Sequence, residues 1–207
     1  MMRAPVEVMV LAAFALLQGQ APVKTIEDGV LDRIELYVRA LEHPERLTVE
    51  IRPFDIAGVD LGTGGAEGKD TRQQEAKTMQ NDGPRLLAEH IVQGLKGSPF
   101  KAATVSTEAA ASGDDRLIVE GRFVQLDPGS RAKRYFVGFG AGKSSVKVTG
   151  TVKDGAGRVL ATFEQRRVGA VGVGGGDSLG KLMSDTRAIG GDIGKFLLRW
   201  ARAESLD

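Results

Sequence analysis

Alternation of apolar and polar residues constrains this chain more than any other feature. Residues 144–152 alternate valines with polar side chains, and residues 159–163 return across the turn sequence Asp154-Gly155-Ala156-Gly157. A period of two places successive side chains on opposite faces of a sheet, and a turn rich in aspartate and glycine favours a tight connection. The pattern therefore predicts a β-hairpin with one buried face.

Three more segments have strand character. Residues 47–56 alternate apolar and charged side chains as far as Pro53, residues 100–106 form a short β-prone run, and residues 116–126 place Leu117, Val119 and Phe123 on one face. Proline lacks the N–H that a central strand needs, so we expect the first of these strands to end near Pro53.

Helical spacing appears three times. Residues 26–41 fit a helix, although Ile34, Leu36 and Val38 also alternate as in a strand; we favour the helix. Asp82 and Pro84 suit the first turn of a second helix, which then ends near Gly97. A third helix is predicted to begin at Asp177 or Ser178, with a kink or loosening at residues 190–191, where two glycines adjoin.

Together these elements predict an α+β fold, in which helices pack on one face of a largely antiparallel sheet of about four to five strands. A chain of 207 residues suits one domain. We assign residues 46–203 to a single α+β domain and residues 22–45 to an N-terminal lead-in with helical character.

The N-terminus has the features of an export signal. Arg3 precedes an uninterrupted apolar run over residues 8–17, and small and polar residues lead to Ala21, so residues 1–21 are predicted to be a signal peptide. Glu7 and Pro22 depart from the usual pattern, and an apolar first helix of the domain is the alternative. The run is too short to cross a bilayer, since a spanning helix needs about 20 apolar residues. The expected location is periplasmic or secreted.

A glycine-rich segment at residues 138–142 imitates a nucleotide-binding loop. A P-loop requires glycine five positions before Gly142, where Val137 stands, and it must lead into a helix, whereas Ser144 leads into a predicted strand. The glycines are better explained by close passage of one backbone past another. Nucleotide binding is therefore not the favoured function.

The same region is basic. Residues 128–153 contain six lysines and arginines and no acidic residue, although the net charge of the chain is only +1. Near-neutral charge makes nucleic acid an unlikely partner, but a local anionic surface is an alternative to a solvated basic edge. The candidate binding residues are Arg131, Arg134, Gly138, Gly140, Gly142 and Lys143.

No catalytic or metal-binding motif is recognisable. The two histidines, His43 and His90, belong to no spaced metal motif, cysteine is absent, and no serine has a G-x-S-x-G setting. We predict no catalytic residues, no metal ligands and no cofactor. An enzyme that uses a pair of carboxylates stays open, because such a pair leaves no motif.

Several short motifs occur together in order along residues 117–169. They are Val119-Glu120-Gly121, Gly129-Ser130-Arg131 followed by Arg134, the glycines of residues 138–142 with Ser144, and Asp154 with Gly157. Because of these motifs the chain resembles the bacterial family known as domain of unknown function 4410, and with the flanking helices the similarity extends over residues 46–200.

The resemblance implies an exported envelope protein with no assigned activity. Members of the family are often lipid-anchored, but this chain has no cysteine to carry a lipid. We therefore expect a non-enzymatic envelope module without an acyl anchor, which binds another envelope component or itself. The alternative is an anion or nucleotide binder that uses residues 131–147.

Overall fold

The computed structural model describes residues 21–61, 69–107, 113, 115–127, 144–168 and 178–207. These residues form a seven-stranded sheet and two α-helices, with a short 3-10 helix at Pro44–Arg46. The strands are β1 Lys24–Glu27, β2 Arg33–Leu36, β3 Thr48–Ile51, β4 Ala102–Val105, β5 Arg116–Asp127, β6 Ser145–Asp154 and β7 Val159–Val168. The helices are α1 Lys69–Gly94 and α2 Ser178–Ala201.

The strands lie in the order β1-β2-β7-β6-β5-β3-β4. All neighbours are antiparallel except β3, which is parallel to both β4 and β5. The predicted α+β class and largely antiparallel sheet are confirmed, but the count of four to five strands is wrong, because the described chain has seven.

The two additional strands are β1 and β2, which overlap residues 26–41, the segment that was predicted to be a helix. In β2, Ile34 pairs with Phe163 and Leu36 with Ala161, so the alternation of this segment, and not its helical spacing, matches the structure. Both side chains are buried. The helical prediction for residues 26–41 is wrong because both periods fit the same residues, and only pairing with β7 decides between them.

Helix α1 begins much earlier than predicted. Pro84 lies inside it instead of in its first turn. Proline removes one helical hydrogen bond and usually ends a helix, but here the residues on both sides of Pro84 are anchored in the core. Met79 precedes it, Leu87 and Ile91 follow it, and all three are fully buried. Burial of this continuous stripe offsets the missing bond.

The central hairpin is formed as predicted. One carboxylate oxygen of Asp154 accepts hydrogen bonds from the backbone N–H groups of Ala156, at 3.0 Å, and Arg158, at 2.9 Å. Gly157 has φ of 84°, a conformation that favours glycine. The strands predicted at residues 47–56, 100–106 and 116–126 are confirmed in type, although β3 is shorter than its pattern.

Both helices cover the same face of the sheet. The Phe163 ring lies 6.1 Å from the ring of Phe196 in α2, and a side chain at Gly83 in α1 would contact Phe123. The register places Phe123 and Phe163 on one face, since their β6 partners Val148 and Gly150 are two residues apart. The core therefore lies between this face and the helices, as predicted.

Glycines let the two helices approach closely. A Cβ atom on Gly194 would lie 2.8 Å from the Cα atom of Gly94, and one on Gly190 would lie 2.7 Å from the Cβ atom of His90. Helix α2 is unbroken across residues 190–191, where a kink was predicted. In this pair Gly190 serves helix packing, because only hydrogen fits at the crossing.

Candidate functional site

The face of the sheet opposite the helices, here called the open face, carries polar and charged side chains from β2, β3, β5, β6 and β7. These residues alternate along each strand with the buried apolar residues, as the period of two requires. Neither described helix packs on this face, because both cover the other one. Its principal residues are Arg33, Glu35, Glu50, Arg52, Glu120, Arg122, Lys147, Thr149, Thr151, Lys153, Thr162 and Glu164.

Glu120 is the centre of one ion-paired group. Its two carboxylate oxygens accept hydrogen bonds from Arg52 Nη1, at 2.7 Å, and from Lys153 Nζ, at 2.5 Å. Burial raises the pKa of Glu120, but the hydrogen bonds and charges of Lys153 and Arg52 lower it by a larger amount. The pKa therefore lies below its ordinary value. Glu120 therefore stays ionised at neutral pH.

Glu35, on β2, is the centre of a second group on the same face, separated from Glu120 by strands β7 and β6. Its carboxylate accepts hydrogen bonds from Arg33 Nη2, at 2.7 Å, Tyr37 Oη, at 3.3 Å, and Thr162 Oγ1, at 3.2 Å. Burial and the charge of Glu35 raise the pKa of Tyr37, while the hydrogen bond to Glu35 raises the pKa of Arg33. These groups hold the phenol neutral and the guanidinium charged.

A groove of about 410 Å³ lies on the open face between the two groups. Threonines 149, 151 and 162 line it, together with the Arg52 and Glu120 pair at one side. Arg122 is exposed at the rim and makes no ion pair with any described residue. Hydroxyl groups both donate and accept hydrogen bonds, so the groove accommodates polar groups of either kind.

Two buried polar atoms, one on β3 and one just after it, have no hydrogen-bond partner among the described residues. They are Glu50 Oε2 and Arg52 Nε, although the other oxygen of Glu50 pairs with Arg116. The first is an acceptor and the second a donor. Buried polar groups are normally satisfied, and since both atoms are enclosed, they are not surface groups that a partner could reach.

The binding residues predicted from the sequence, Arg131, Arg134, Gly138, Gly140, Gly142 and Lys143, lie outside the described residues. Two lysines of the same basic stretch are described, and both are paired with acids from neighbouring strands. Lys147 Nζ lies 2.9 Å from Glu164 Oε1, and Lys153 pairs with Glu120. A stretch without acids in the sequence is therefore partly neutralised across the sheet.

The histidines occupy separate places. His43 is exposed, has a left-handed φ of 48°, and its Nδ1 lies 3.2 Å from Glu45 Oε1. His90 Nδ1 lies 3.0 Å from the backbone oxygen of Leu86 within α1. Among the described residues no three histidine or acidic side chains are grouped as a metal site would require.

Within the described chain, neither α1 nor α2 combines the length and hydropathy of a membrane span.

Sequence reasoning missed the open face because its partners are distant along the chain. Arg52 and Glu120 are 68 residues apart, and Lys153 and Glu120 are 33 apart. The only signal in the sequence was the polar half of each alternating strand. The polar residues of each strand show which side chains lie on the open face, but they do not show which of these side chains pair with each other.

Comparisons with known proteins identify a family and some distant folds. The family model described as domain of unknown function (DUF4410) matches residues 45–173. No curated protein matches the chain.

Among solved structures, the PelC dodecamer from Paraburkholderia phytofirmans is 14% identical, with 74% of this chain and 90% of that chain covered at a TM-score of 0.41. A Xanthomonas campestris protein of the family DUF330 is 10% identical, with 75% and 86% covered and the same TM-score, 0.41. Such scores indicate distant similarity, and nothing about the assembly of this chain follows from them.

Proposed function

Since the chain belongs to the DUF4410 family, a domain of unknown function, we propose that it is an exported, non-catalytic module of the cell envelope. The open face of its sheet binds a polar segment of another envelope protein. The observation that carries this proposal is the groove between the Glu120 and Glu35 groups, lined by threonine hydroxyls and bordered by Arg122.

The ionisation of the groove supports binding more than proton transfer. A general acid at neutral pH must hold a proton with a pKa near that pH. Glu120 has a pKa below its ordinary value and pairs with two cations, while Glu35 accepts four hydrogen bonds from three residues. Both carboxylates thus act as fixed acceptors that keep the strand surface rigid.

The chemistry of the rim indicates the kind of partner. Arg122 offers an exposed guanidinium, which pairs well with carboxylates, and the threonines offer hydrogen bonds without selecting a charge. A segment with an acidic side chain among polar neighbours would match these groups.

Export is supported by the sequence, through Arg3 and the apolar run of residues 8–17. The test is fractionation of cells that express the full chain, with the mature N-terminus read by mass spectrometry. We expect a periplasmic or secreted chain that lacks residues 1–21. An intact chain that stays in the cytoplasm would contradict export.

Binding at the open face is tested by photo-crosslinking in cells. A photoreactive amino acid replaces Arg122 on the open face or, as the control, Lys195, which is exposed on α2. We expect a discrete adduct with another envelope protein from position 122 and none from position 195. Adducts of the same pattern from both positions, or from neither, would reject the open face as the binding surface.

A further inference from the structure

Another cavity, of about 520 Å³, lies at one end of the sheet and is here called the end cavity. Its walls come from the connection after β2, the start of β5 and the turn between β6 and β7. The register brings these segments together, because Leu117 pairs with Asp154 while Thr48 pairs with Arg116. Among the described residues, the end cavity and the groove of the open face share no lining residue, so the two sites are separate.

Aliphatic residues line much of the end cavity. Leu117 is fully buried, and four others are half-buried against the core: Val38, Leu41, Leu47 and Leu160. Half-buried aliphatic residues leave part of their apolar surface accessible to water, and covering that surface is favourable. The volume also lies within the range of small-molecule sites, about 300–1,000 Å³. A molecule with an aliphatic group would therefore suit this lining.

Backbone hydrogen bonds fix the walls of the end cavity relative to one another. The N–H of Tyr37 donates to the carbonyl of Leu160 at 2.9 Å, and the N–H of Thr48 donates to the carbonyl of Asp115 at 2.9 Å. The carboxylate of Asp154 holds the turn between β6 and β7. Because these segments are already ordered, little entropy would be lost in arranging them around a ligand.

Three arginines line the end cavity, and two of them are paired within the structure. Arg116 pairs with Glu50, and Arg158 Nε lies 2.6 Å from Asp154 Oδ2. The third, Arg46, is exposed and forms no ion pair or side-chain hydrogen bond with another described residue. Its guanidinium is therefore free to pair with a bound anion.

Two acids of the lining are in the same position as Arg46. Glu42 and Asp115 are exposed, and within the described ranges their carboxylates form no ion pair or hydrogen bond. The rim thus combines one cation and two anions that have no partner in the described part of the chain. A ligand that carries both charges would match this rim, whereas a ligand of one charge would match only part of it.

We propose that the end cavity binds a small zwitterion with an aliphatic side chain, either a free aliphatic amino acid or a short peptide of such residues. Arg46 pairs with the carboxylate of this ligand, while Glu42 and Asp115 accept hydrogen bonds from its ammonium group. A fatty acid would bring a negative charge close to two acids, and an alkyl amine would leave Arg46 unpaired. The proposal stands independently of binding at the open face.

Isothermal titration calorimetry of the purified full chain tests the class of ligand. The probes are leucine and the dipeptide leucyl-leucine, each also in an N-acetylated form without the positive charge and in an amide form without the carboxylate. We expect leucine or the dipeptide to bind, and the loss of either charge to weaken binding by about tenfold or more. The tighter of the two ligands shows whether the site takes a free amino acid or a peptide.

Variants of the rim test which residue recognises which charge. Arg46→Ala should weaken binding of the unmodified ligand by about tenfold and leave binding of the amide form unchanged, because that form has no carboxylate to pair. The double variant E42Q/D115N should weaken the unmodified ligand in the same way and leave the N-acetylated form unchanged. Arg39→Ala is the matched control, since Arg39 is an exposed cation outside the lining, and it should bind like the wild type.

Three outcomes would overturn the proposal. They are a wild type that binds neither leucine nor the dipeptide, blocked forms that bind as tightly as the unmodified ligands, and an Arg46→Ala protein that binds like Arg39→Ala. The comparison of blocked and unmodified ligands needs only the wild type. It therefore tests the proposal even if a variant of the rim fails to fold.

Discussion

The close crossing of α1 and α2 makes a quantitative prediction about two neighbouring glycines of one helix. A Cβ atom on Gly194 would lie 2.8 Å from the Cα atom of Gly94 and 2.8 Å from the carbonyl oxygen of Ile91. Both contacts are with backbone, which cannot rotate away as a side chain can. The helices would have to separate to admit a methyl group.

Two opposing effects decide the stability of Gly194→Ala. Alanine is favoured over glycine in a helix by about 1 kcal/mol, whereas overpacking a well-packed interior costs about 1–3 kcal/mol. Since the contacts are with backbone, we place the cost at the upper end and expect a net loss of about 2 kcal/mol. For a chain of this size the loss corresponds to a fall in Tm of about 4–8 °C.

Gly191→Ala is the matched control, because a Cβ atom on Gly191 would have no described atom within 4 Å apart from the nearby backbone of its own helix. Only the helix-propensity term remains, so this variant should gain up to about 1 kcal/mol. Urea unfolding followed by circular dichroism measures both variants against the wild type. Equal shifts in the same direction, or a Gly194→Ala protein as stable as the wild type, would refute the close crossing.

Three further outcomes follow from the charged groups. Glu120→Gln should lose about 1–2 kcal/mol of stability at neutral pH. Because folding lowers the pKa of Glu120, this loss should disappear as the pH falls through that pKa. A loss that is unchanged in acid would contradict the ion pairing of Glu120. Burial raises the pKa of Asp185, whose Oδ2 has no hydrogen-bond partner among the described residues, so wild-type stability should decline as the pH rises through this pKa. Urea unfolding at several pH values should show that Asp185→Asn removes this decline, and an identical decline in the variant would contradict the assignment to Asp185. The alternative anion site is tested by equilibrium dialysis with labelled nucleotides and anionic lipids. If Lys143 binds these ligands, Lys143→Ala should lose the binding. Binding by the wild type that does not exceed the background would reject the alternative.

Local patterns were sufficient for part of the fold. The hairpin of β6 and β7 was predictable because alternation and turn chemistry both lie within residues 144–163, and the turn is closed by Asp154 alone. The C-terminal helix was equally local, with its apolar stripe ending in Phe196 and Trp200. Where the hydrophobic period and the turn residues of a segment indicate the same structure, the sequence is sufficient to predict that structure.

Tertiary contacts decided the rest. Residues 26–41 fitted two periods, and the pairing of Ile34 with Phe163 selected the strand. Pro84 suggested a helix start, but the burial of Met79 and Leu87 on either side extends the helix through it. The open face depended on register, since no local pattern pairs Arg52 with a carboxylate 68 residues away.

The most direct measurement of the proposed function is the yield of a photo-crosslinked adduct from a probe at Thr149, inside the groove, in three backgrounds. Arg122→Glu reverses the charge at the rim, while Lys195→Glu makes the same charge change on α2, away from the open face. We predict that Arg122→Glu abolishes the adduct and that Lys195→Glu leaves its yield unchanged. An adduct that survives Arg122→Glu, or is lost equally in both variants, would contradict a partner bound at the open face.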